Sequence, residues 1–487
     1  MRLLMRLLVI ASTLLLAQGQ SSAYKPGVKI RVTNKGINYV NSVGKTLARK
    51  LLEQLQFKDI AGKQDKLEYS LSNIVITGLT GPETSLVNNP DLNAITLSIT
   101  NFGVTLSTDW WAKYKLLFIP LSASGGLVAS VSDVSLTLTV GVDVDPSTLY
   151  PVARSRGCTV SIGGVKFNFN GGTAWLLNLL KGVFENLARN VLGDKICVYV
   201  NNFIDNDVTK KLQDFKMVAG FLDKFVLDYS LVAPVNFNSL YIETQHKGEV
   251  YWKDDLKTES PFTPSLIPSW TDNSNMAYLW VTEYTIMTLA YVAHTHDYLK
   301  YTLTPDKLPA SSKGYLNTTC PDSVCAGSLL NQISTAYPNS QVTINIISSA
   351  VPKVNITTTG LQLTINGAFE LSVLTPSGSV QSAITSNVAL SLSATASIAN
   401  QAVTGNVTNF SVKLDGLKSN IGDLDQSELN TMIYDGINMI VIPQINAIAQ
   451  AGVPLPSMKD VTLSNSKATF LDGVLVLSSD ARYKDIV

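Results

Sequence analysis

Three histidines and four cysteines are the scarcest reactive side chains in this 487-residue sequence, and their spacing sets what chemistry is open to it. His294 and His296, with Asp297 beside them, would place two imidazoles on one face of a strand, which is half of a metal site. His246 is the third, far off in sequence. Cys320 and Cys325 stand five apart in Thr-Thr-Cys-Pro-Asp-Ser-Val-Cys-Ala-Gly. As a redox pair they depart from the C-x-x-C spacing; as a structural bridge they would close a small local loop. The sequence has no G-x-S-x-G nucleophile elbow, no Gly-rich phosphate loop and no H-E-x-x-H. It therefore reads as a non-enzyme with no catalytic residues, no metal and no cofactor of its own.

The compartment decides how the cysteines are used. Arg2 and Arg6 precede an apolar run from Leu7 to Ala17, and Ser21-Ser22-Ala23 has the small residues of a cleavage site. Residues 1–23 are expected to be a signal peptide, with cleavage after Gly19 as the alternative. The most apolar later stretch, Met432 to Ile448, is interrupted by Asp435, Asn438, Pro443 and Gln444 and falls short of a membrane span. The expectation is a secreted protein, extracellular or in a secretory-vesicle lumen, where cysteines pair. A Cys158–Cys197 bridge would tie a strand-like segment to a helix-like one and stabilise by roughly 3–4 kcal/mol in the chain-entropy picture. Four sequons, at Asn317, Asn355, Asn406 and Asn409, are candidate glycosylation sites, all in the second half.

Charge is low and unevenly placed. Lys+Arg and Asp+Glu are equal at 37 each, and charged residues make up only 15% of the chain, against ~25% in ordinary soluble domains. A nucleic-acid binder would need a basic surplus. Without residues 1–23, the part before Leu240 carries a net +5 and the rest a net −7. The bias is sharpest from Tyr24 to Lys66, where ten basic residues face three acidic ones.

The elements behind this pattern are long. Ile37 to Leu55 reads as a helix with Val40, Val43, Leu47, Leu51 and Leu55 on one stripe. Ile95, Leu97 and Ile99 then alternate on odd positions, and Phe102, Val104 and Leu106 on even ones; the same slip falls between Val131 and Val134. A one-residue change of phase predicts a bulge or face switch in a strongly bent strand. Leu361 to Val373 keeps one apolar face over thirteen residues, a span of roughly 43 Å. Each half ends in a long helical pattern, Ala174 to about Ile204 and Glu428 to Gln450, and Pro443 predicts a kink in the second. Between the halves, Glu259 to Trp270 holds three prolines and reads as a linker.

Several segments in one order resemble the family of bactericidal permeability-increasing protein and lipopolysaccharide-binding protein. They are the opening Lys25-Pro-Gly-Val-Lys-Ile-Arg-Val-Thr-Asn-Lys-Gly-Ile-Asn-Tyr-Val40, the pair Cys158 and Cys197, Asp228-Tyr-Ser-Leu-Val-Ala-Pro234 and Lys247-Gly-Glu-Val-Tyr251. The proline linker, Ser419-Asn-Ile-Gly422, Ile440-Val-Ile-Pro443 and Gly452-Val-Pro-Leu-Pro456 follow. The resemblance covers essentially the whole chain after residue 23. It implies an α+β fold of two elongated antiparallel barrels, each with long helices, joined by a central sheet in a boomerang shape. The implied division is an N-terminal lipid-binding barrel over 24–240, central sheet and linker over 241–270, and a C-terminal barrel over 271–487.

The same resemblance implies bound phospholipid in apolar pockets and, as partners, lipopolysaccharide or anionic phospholipid membranes met peripherally. Lys58, Lys63, Lys66, Lys113 and Lys115 match the region that engages anionic headgroups, with Trp110, Trp111 and Tyr114 as candidates for a membrane interface. Asp59, Asp65 and Asp109 interrupt that cluster. The implied role is innate antibacterial defence; a phospholipid or neutral-lipid transfer carrier without bactericidal role is the alternative.

Overall fold

The structure, a computed structural model, describes residues 25–53, 59–116, 119–172, 174–192, 194–214, 217–308, 310–321, 323–455 and 461–484. The expected signal peptide and Lys58 lie outside these residues. Strand β1 (Val28–Thr33) runs without a loop into helix α1 (Asn34–Glu53). Val40 on that helix is exposed, so its apolar stripe is narrower than the spacing predicts. A sheet follows, built from β2 (Ile60–Gln64), β3 (Leu67–Thr80), β4 (Glu83–Asn89), β5 (Ala94–Leu116), β6 (Ile119–Val144) and β7 (Pro151–Phe169). Its order is β2-β3-β5-β6-β7, all antiparallel, with β4 paired on β5.

Strands of 23 and 26 residues cannot stay flat, because right-handed twist accumulates along them. The phase slips in the sequence mark where they bend. Register shifts on β5 between Ile99 and Val104, and Phe102 stands opposite Val134 on β6. Asn101 and Asp133 take positive φ at that level, and Asn73 does so further along, where β3 bulges opposite the Ser107–Asp109 stretch of β5, a conformation Asn and Asp tolerate better than other side chains. Bulges on neighbouring strands thus line up and curl the sheet.

The free edge of β7 is covered by helix. α2 (Ala174–Leu192) and α3 (Asp194–Asn202) lead into a wide π turn, Phe203–Val208, and a helical turn, Thr209–Gln213. Asn201, Asp205 and Thr209, four residues apart, point at the strand. The Ser155 hydroxyl donates to Asn201 at 2.6 Å, the Ser155 amide to Asp205 at 3.0 Å and the Ala153 amide to Thr209 at 2.9 Å. Side chains so replace the missing neighbour strand. The Cys158–Cys197 disulfide fastens the same seam.

A three-stranded sheet of β8 (Val218–Phe221), β9 (Phe225–Asp228) and β12 (Glu249–Trp252) intervenes, with β10 (Asn236–Asn238) and β11 (Tyr241–His246) between. β13 (Ala277–Thr282) and α4 (Glu283–Thr295) open the second half. Its sheet contains β14 (Lys300–Leu303), β15 (Gln341–Ser348), β16 (Lys353–Thr357), β17 (Gly360–Leu374), β18 (Val380–Ala399), β19 (Ala402–Ser419) and β20 (Val453–Pro454). The order is β14-β15-β17-β18-β19-β20, with β16 on β17. The closing helix again breaks at a π turn: α5 (Gln426–Gly436), the turn Ile437–Val441, then α6 (Ile442–Ala451). Pro443 sits in the first turn of α6, directly after the π turn, so the expected kink falls where the winding of the helix changes. The chain finishes in β21 (Val461–Leu471) and β22 (Val474–Tyr483).

A central six-stranded sheet joins the two curled ones. Its order, β10-β11-β1-β13-β22-β21, sets the first described strand between two from the middle of the chain, and β13 in turn pairs with β22 from its end. Lys29, Arg31 and Glu243 are buried together on it. Arg31 donates twice to Glu243, at 3.1 and 2.9 Å, and Lys29 lies 3.5 Å from the same carboxylate. Both cations also sit over aromatic faces, Arg31 over Tyr241 and Lys29 over Trp280. Burial pulls the Lys29 ammonium below its ordinary range against the attraction of Glu243. The proline linker is pinned at both ends here: the Ser260 amide donates to Glu249 at 2.7 Å, and Arg31 donates to the Trp270 carbonyl at 2.9 Å.

Removing the charge of Glu243 would leave Lys29 and Arg31 buried without the anion they share, at a cost of about 3 kcal/mol or more. Glu243→Gln should therefore lower the urea midpoint strongly. Lys29→Met, which removes the surplus cation, should lower it by less than half as much. Equal losses in the two variants would show that the charge count is not what matters at this site.

Candidate functional site

Three places have the chemistry of a site: the far end of the first sheet, the concave interior behind it, and a cavity in the second half. At the far end, alternation along β5 sorts the side chains. Trp110 and Ala112 point inward and pack with Leu67, Leu127, Leu176, Leu180 and Phe184. The Trp110 ring meets Phe169 edge-on at 5.7 Å, and its indole N–H reaches the Asn170 carbonyl at 3.3 Å. Trp110 is only 2% exposed, so it belongs to the core and not to a surface; adjacent residues on a strand face opposite ways. Trp111 is 40% exposed. Tyr114 is half-buried and packs at the margin of the core.

The outward row gathers the candidate cations. Glu68 stands opposite Lys63 on β2 and opposite Lys113 on β5, and the Lys115 amide donates to the Lys66 carbonyl at 3.0 Å. Lys63, Lys66, Lys113 and Lys115 thus share one end of the sheet; Lys63, Lys66 and Lys115 are exposed and Lys113 half-exposed. Lys63 pairs with Glu68 at 3.2 Å. That hydrogen bond, with the charges of Lys63, Lys115 and Lys113, holds the Glu68 carboxyl below the usual carboxylate range. The row is a set of four cations around one persistent anion. Ile60, Trp111, Ile119 and Leu121 are exposed apolar side chains at the same end. Asp109 accepts a 2.7 Å hydrogen bond from Asn73.

Behind this end the inner face changes character. The packed cluster around Trp110 occupies one stretch, and a second one of Leu138, Ala153 and Ile204 occupies another. Between them Leu97, Ile99, Val104, Leu106, Leu136 and Ile162 are apolar, follow the inward phase of their strands and are only half-buried. The side chains of the first sheet do not fill their own interior there.

In the second half the unfilled space is a cavity of about 620 Å³, within the ordinary size range of ligand pockets. Leu303, Val342, Ile344, Phe369, Leu371 and Ile437 line it, and its polar groups include Lys307, Ser312, Asp435 and Gln444. Much of the wall comes from residues 301–329, whose irregular sequence gave no periodic signal. Cys325 also lines it, held in a Cys320–Cys325 disulfide.

The groups considered for other chemistry are occupied structurally. His294 and His296 lie at the end of a helix, not on a strand face. The His294 Nδ1 is 2.7 Å from the Ser348 hydroxyl, and His296 stacks on Trp252 at 4.8 Å. His246 is buried between the Tyr229 carbonyl and the Thr244 hydroxyl, and burial holds its pKa below the usual value. Among the described residues no three His, Cys, Asp or Glu side chains are grouped to hold a metal ion, and no helix is long and apolar enough to cross a membrane. Asn355, Asn406 and Asn409 are exposed and Asn317 is half-buried.

Comparison with known proteins agrees along nearly the whole chain. The profile described as the LBP / BPI / CETP family, N-terminal domain, matches residues 36–210, and that of the family's C-terminal domain matches residues 221–483. A bactericidal permeability-increasing protein of Sebastes schlegelii is 26% identical over 463 residues, 94% of this chain and 95% of the relative. A lipopolysaccharide-binding protein of Bos taurus is 23% identical over 484 residues, 98% and 97% of the two chains. A crystal structure of lipopolysaccharide binding protein superposes with a TM-score of 0.57 at 23% identity, over 94% of this chain and 100% of that one. This last likeness is one of fold.

An unfilled cavity tolerates added bulk, whereas a packed core does not. Ile344→Phe, which points into the cavity, should cost less than about 1 kcal/mol in chemical denaturation, and Val373→Phe, at a fully buried position, about 1–3 kcal/mol. A penalty for Ile344→Phe as large as that for Val373→Phe would mean that the cavity walls are already in contact.

Proposed function

The chain belongs to the LBP / BPI / CETP family, and from that premise we propose that it is a secreted lipid-binding protein and not an enzyme. Its two curled sheets hold the acyl chains of a phospholipid or of lipopolysaccharide, and the basic end of the first sheet binds the anionic headgroups. The observation that carries this reading is the apolar interior left unpacked in both halves. Each methylene that moves there from water gains ~0.8 kcal/mol, and among the described residues the stretch around Leu97 and Leu136 is only half-buried.

The end of the first sheet supplies attraction of the right sign. Lys63, Lys66, Lys113 and Lys115 lie within one patch, so their fields add toward a phosphate-bearing surface, and Trp111, Ile119 and Leu121 can enter its interfacial layer. Innate antibacterial defence is the role this supports. Glu68 favours the second reading, a lipid transfer carrier, because a carboxylate held ionised among the lysines weakens the patch.

Binding to lipopolysaccharide and to phosphatidylglycerol vesicles, followed by co-sedimentation over a range of salt, tests the reading. Lys63→Glu with Lys113→Glu should weaken binding at least several-fold and flatten its salt dependence; Glu68→Gln should strengthen it. Unchanged affinity in the double variant would remove the headgroup role from this end of the molecule. Binding confined to neutral lipid would select the carrier.

A further inference from the structure

The two halves close their interiors differently. In the first, the covering helix is held on both sides. Asn201, Asp205, Thr209 and the Cys158–Cys197 disulfide fasten it to β7. Phe184 stacks on Phe169 of β7 at 6.1 Å and, on the other side, packs edge-on against Tyr69 of β3 at 5.4 Å. In the second half, α5 and α6 are fastened to β19 by the stacked pair Phe410 and Tyr434, at 4.5 Å, and by Asn446, which accepts from the Val407 amide at 2.8 Å. Toward the opposite edge, β14, the described residues show one side-chain hydrogen bond, from the Tyr301 hydroxyl to Gln444 at 3.2 Å.

Leu303 of β14 shares one buried apolar cluster with Ile433 and Ile437 of the helix, and the cavity lies behind this edge. Residues that both line it and face solvent mark its mouth: Lys307, Tyr315, Val324 and Leu329 on one side, Asp435, Met439, Pro443 and Gln444 on the helix. Five of these eight are apolar or aromatic, a low barrier for a hydrocarbon chain. The helix beside the mouth is also where its winding is irregular. The π turn Ile437–Val441 lines the cavity, and such turns interrupt the regular hydrogen-bond ladder.

We propose that the second half loads and releases its lipid sideways, between β14 and the α5–α6 helix, with the Tyr301–Gln444 hydrogen bond as the latch. The attachment to β19 is the hinge, and the π turn is the part of the helix that gives. The first half, held on both sides, keeps its ligand longer. This rests on the lipid-binding reading and adds where exchange happens and in which half.

The test uses the full chain and phosphatidylcholine with a fluorescent acyl chain, self-quenched in phosphatidylcholine vesicles, so that uptake appears as dequenching. Tyr301→Phe keeps the ring and removes the hydroxyl; uptake should quicken roughly fivefold, as loss of one modest hydrogen bond allows. In a second protein, Tyr301→Cys with Gln444→Cys, a short bis-maleimide joins the two positions. All four native cysteines are in disulfides, so the reagent meets only the new thiols. The cross-linked protein should take up probe at a small fraction of the rate of the same protein before cross-linking, while its circular dichroism and the lipid already bound stay the same. Cross-linked protein that loads at the unlinked rate would overturn the portal while leaving lipid binding intact. No uptake by the unmodified chain would instead overturn the lipid-binding reading itself.

Discussion

A sheet rolled from strands of 20 or more residues has an inner face longer than its own side chains can fill, and this constraint shapes the rest of the molecule. A compact domain closes its core with residues from all directions. Here the covering comes from one interrupted helix per half, laid along a groove. Leu176, Leu180 and Phe184 seal one end of the first groove and Ile204 the other. The length between them remains apolar and half-open. The low charge fraction follows from the same geometry, since strands with an apolar inner face and Ser or Thr outside need few charges to stay in solution.

The central sheet solves a different problem. Two long grooves with no shared core would be joined only by a linker, yet β1 is paired on both sides, with β11 and with β13, and β22 lies next to β13. Strands from the beginning, middle and end of the chain are thereby locked in register. The buried Arg31–Glu243 pair spans 212 residues of sequence, and the linker is strapped down over it. Electrostatics serves architecture here, whereas at the far end of the first sheet the lysines are exposed.

Much of this was legible in the sequence wherever period carries the information. The slips at Ile99/Phe102 and Val131/Val134 are bulges, and the long one-faced run from Leu361 is a 15-residue strand. Trp110 was misplaced even though the signal was present: two neighbours on a strand cannot both face solvent, and its even-numbered phase is that of Leu106 and Ala112. His294 and His296 were expected on a strand because two-residue spacing fits one, yet the apolar residues before them continue as a helix. The cavity in the second half was not legible, because its wall from Tyr301 to Leu329 is irregular and its shape depends on helix-to-strand distances. Pairing across hundreds of residues in the central sheet is likewise invisible to local pattern.

The central claim is that the unfilled interior is occupied by lipid. Native mass spectrometry of gently purified protein tests it most directly, alongside a variant with Ile344→Trp and Val342→Phe to fill the second cavity. The expected spectrum is polypeptide carrying non-covalent adducts of phospholipid mass, with one fewer adduct in the filled variant. Bare polypeptide alone, or the same adducts in both proteins, would contradict it.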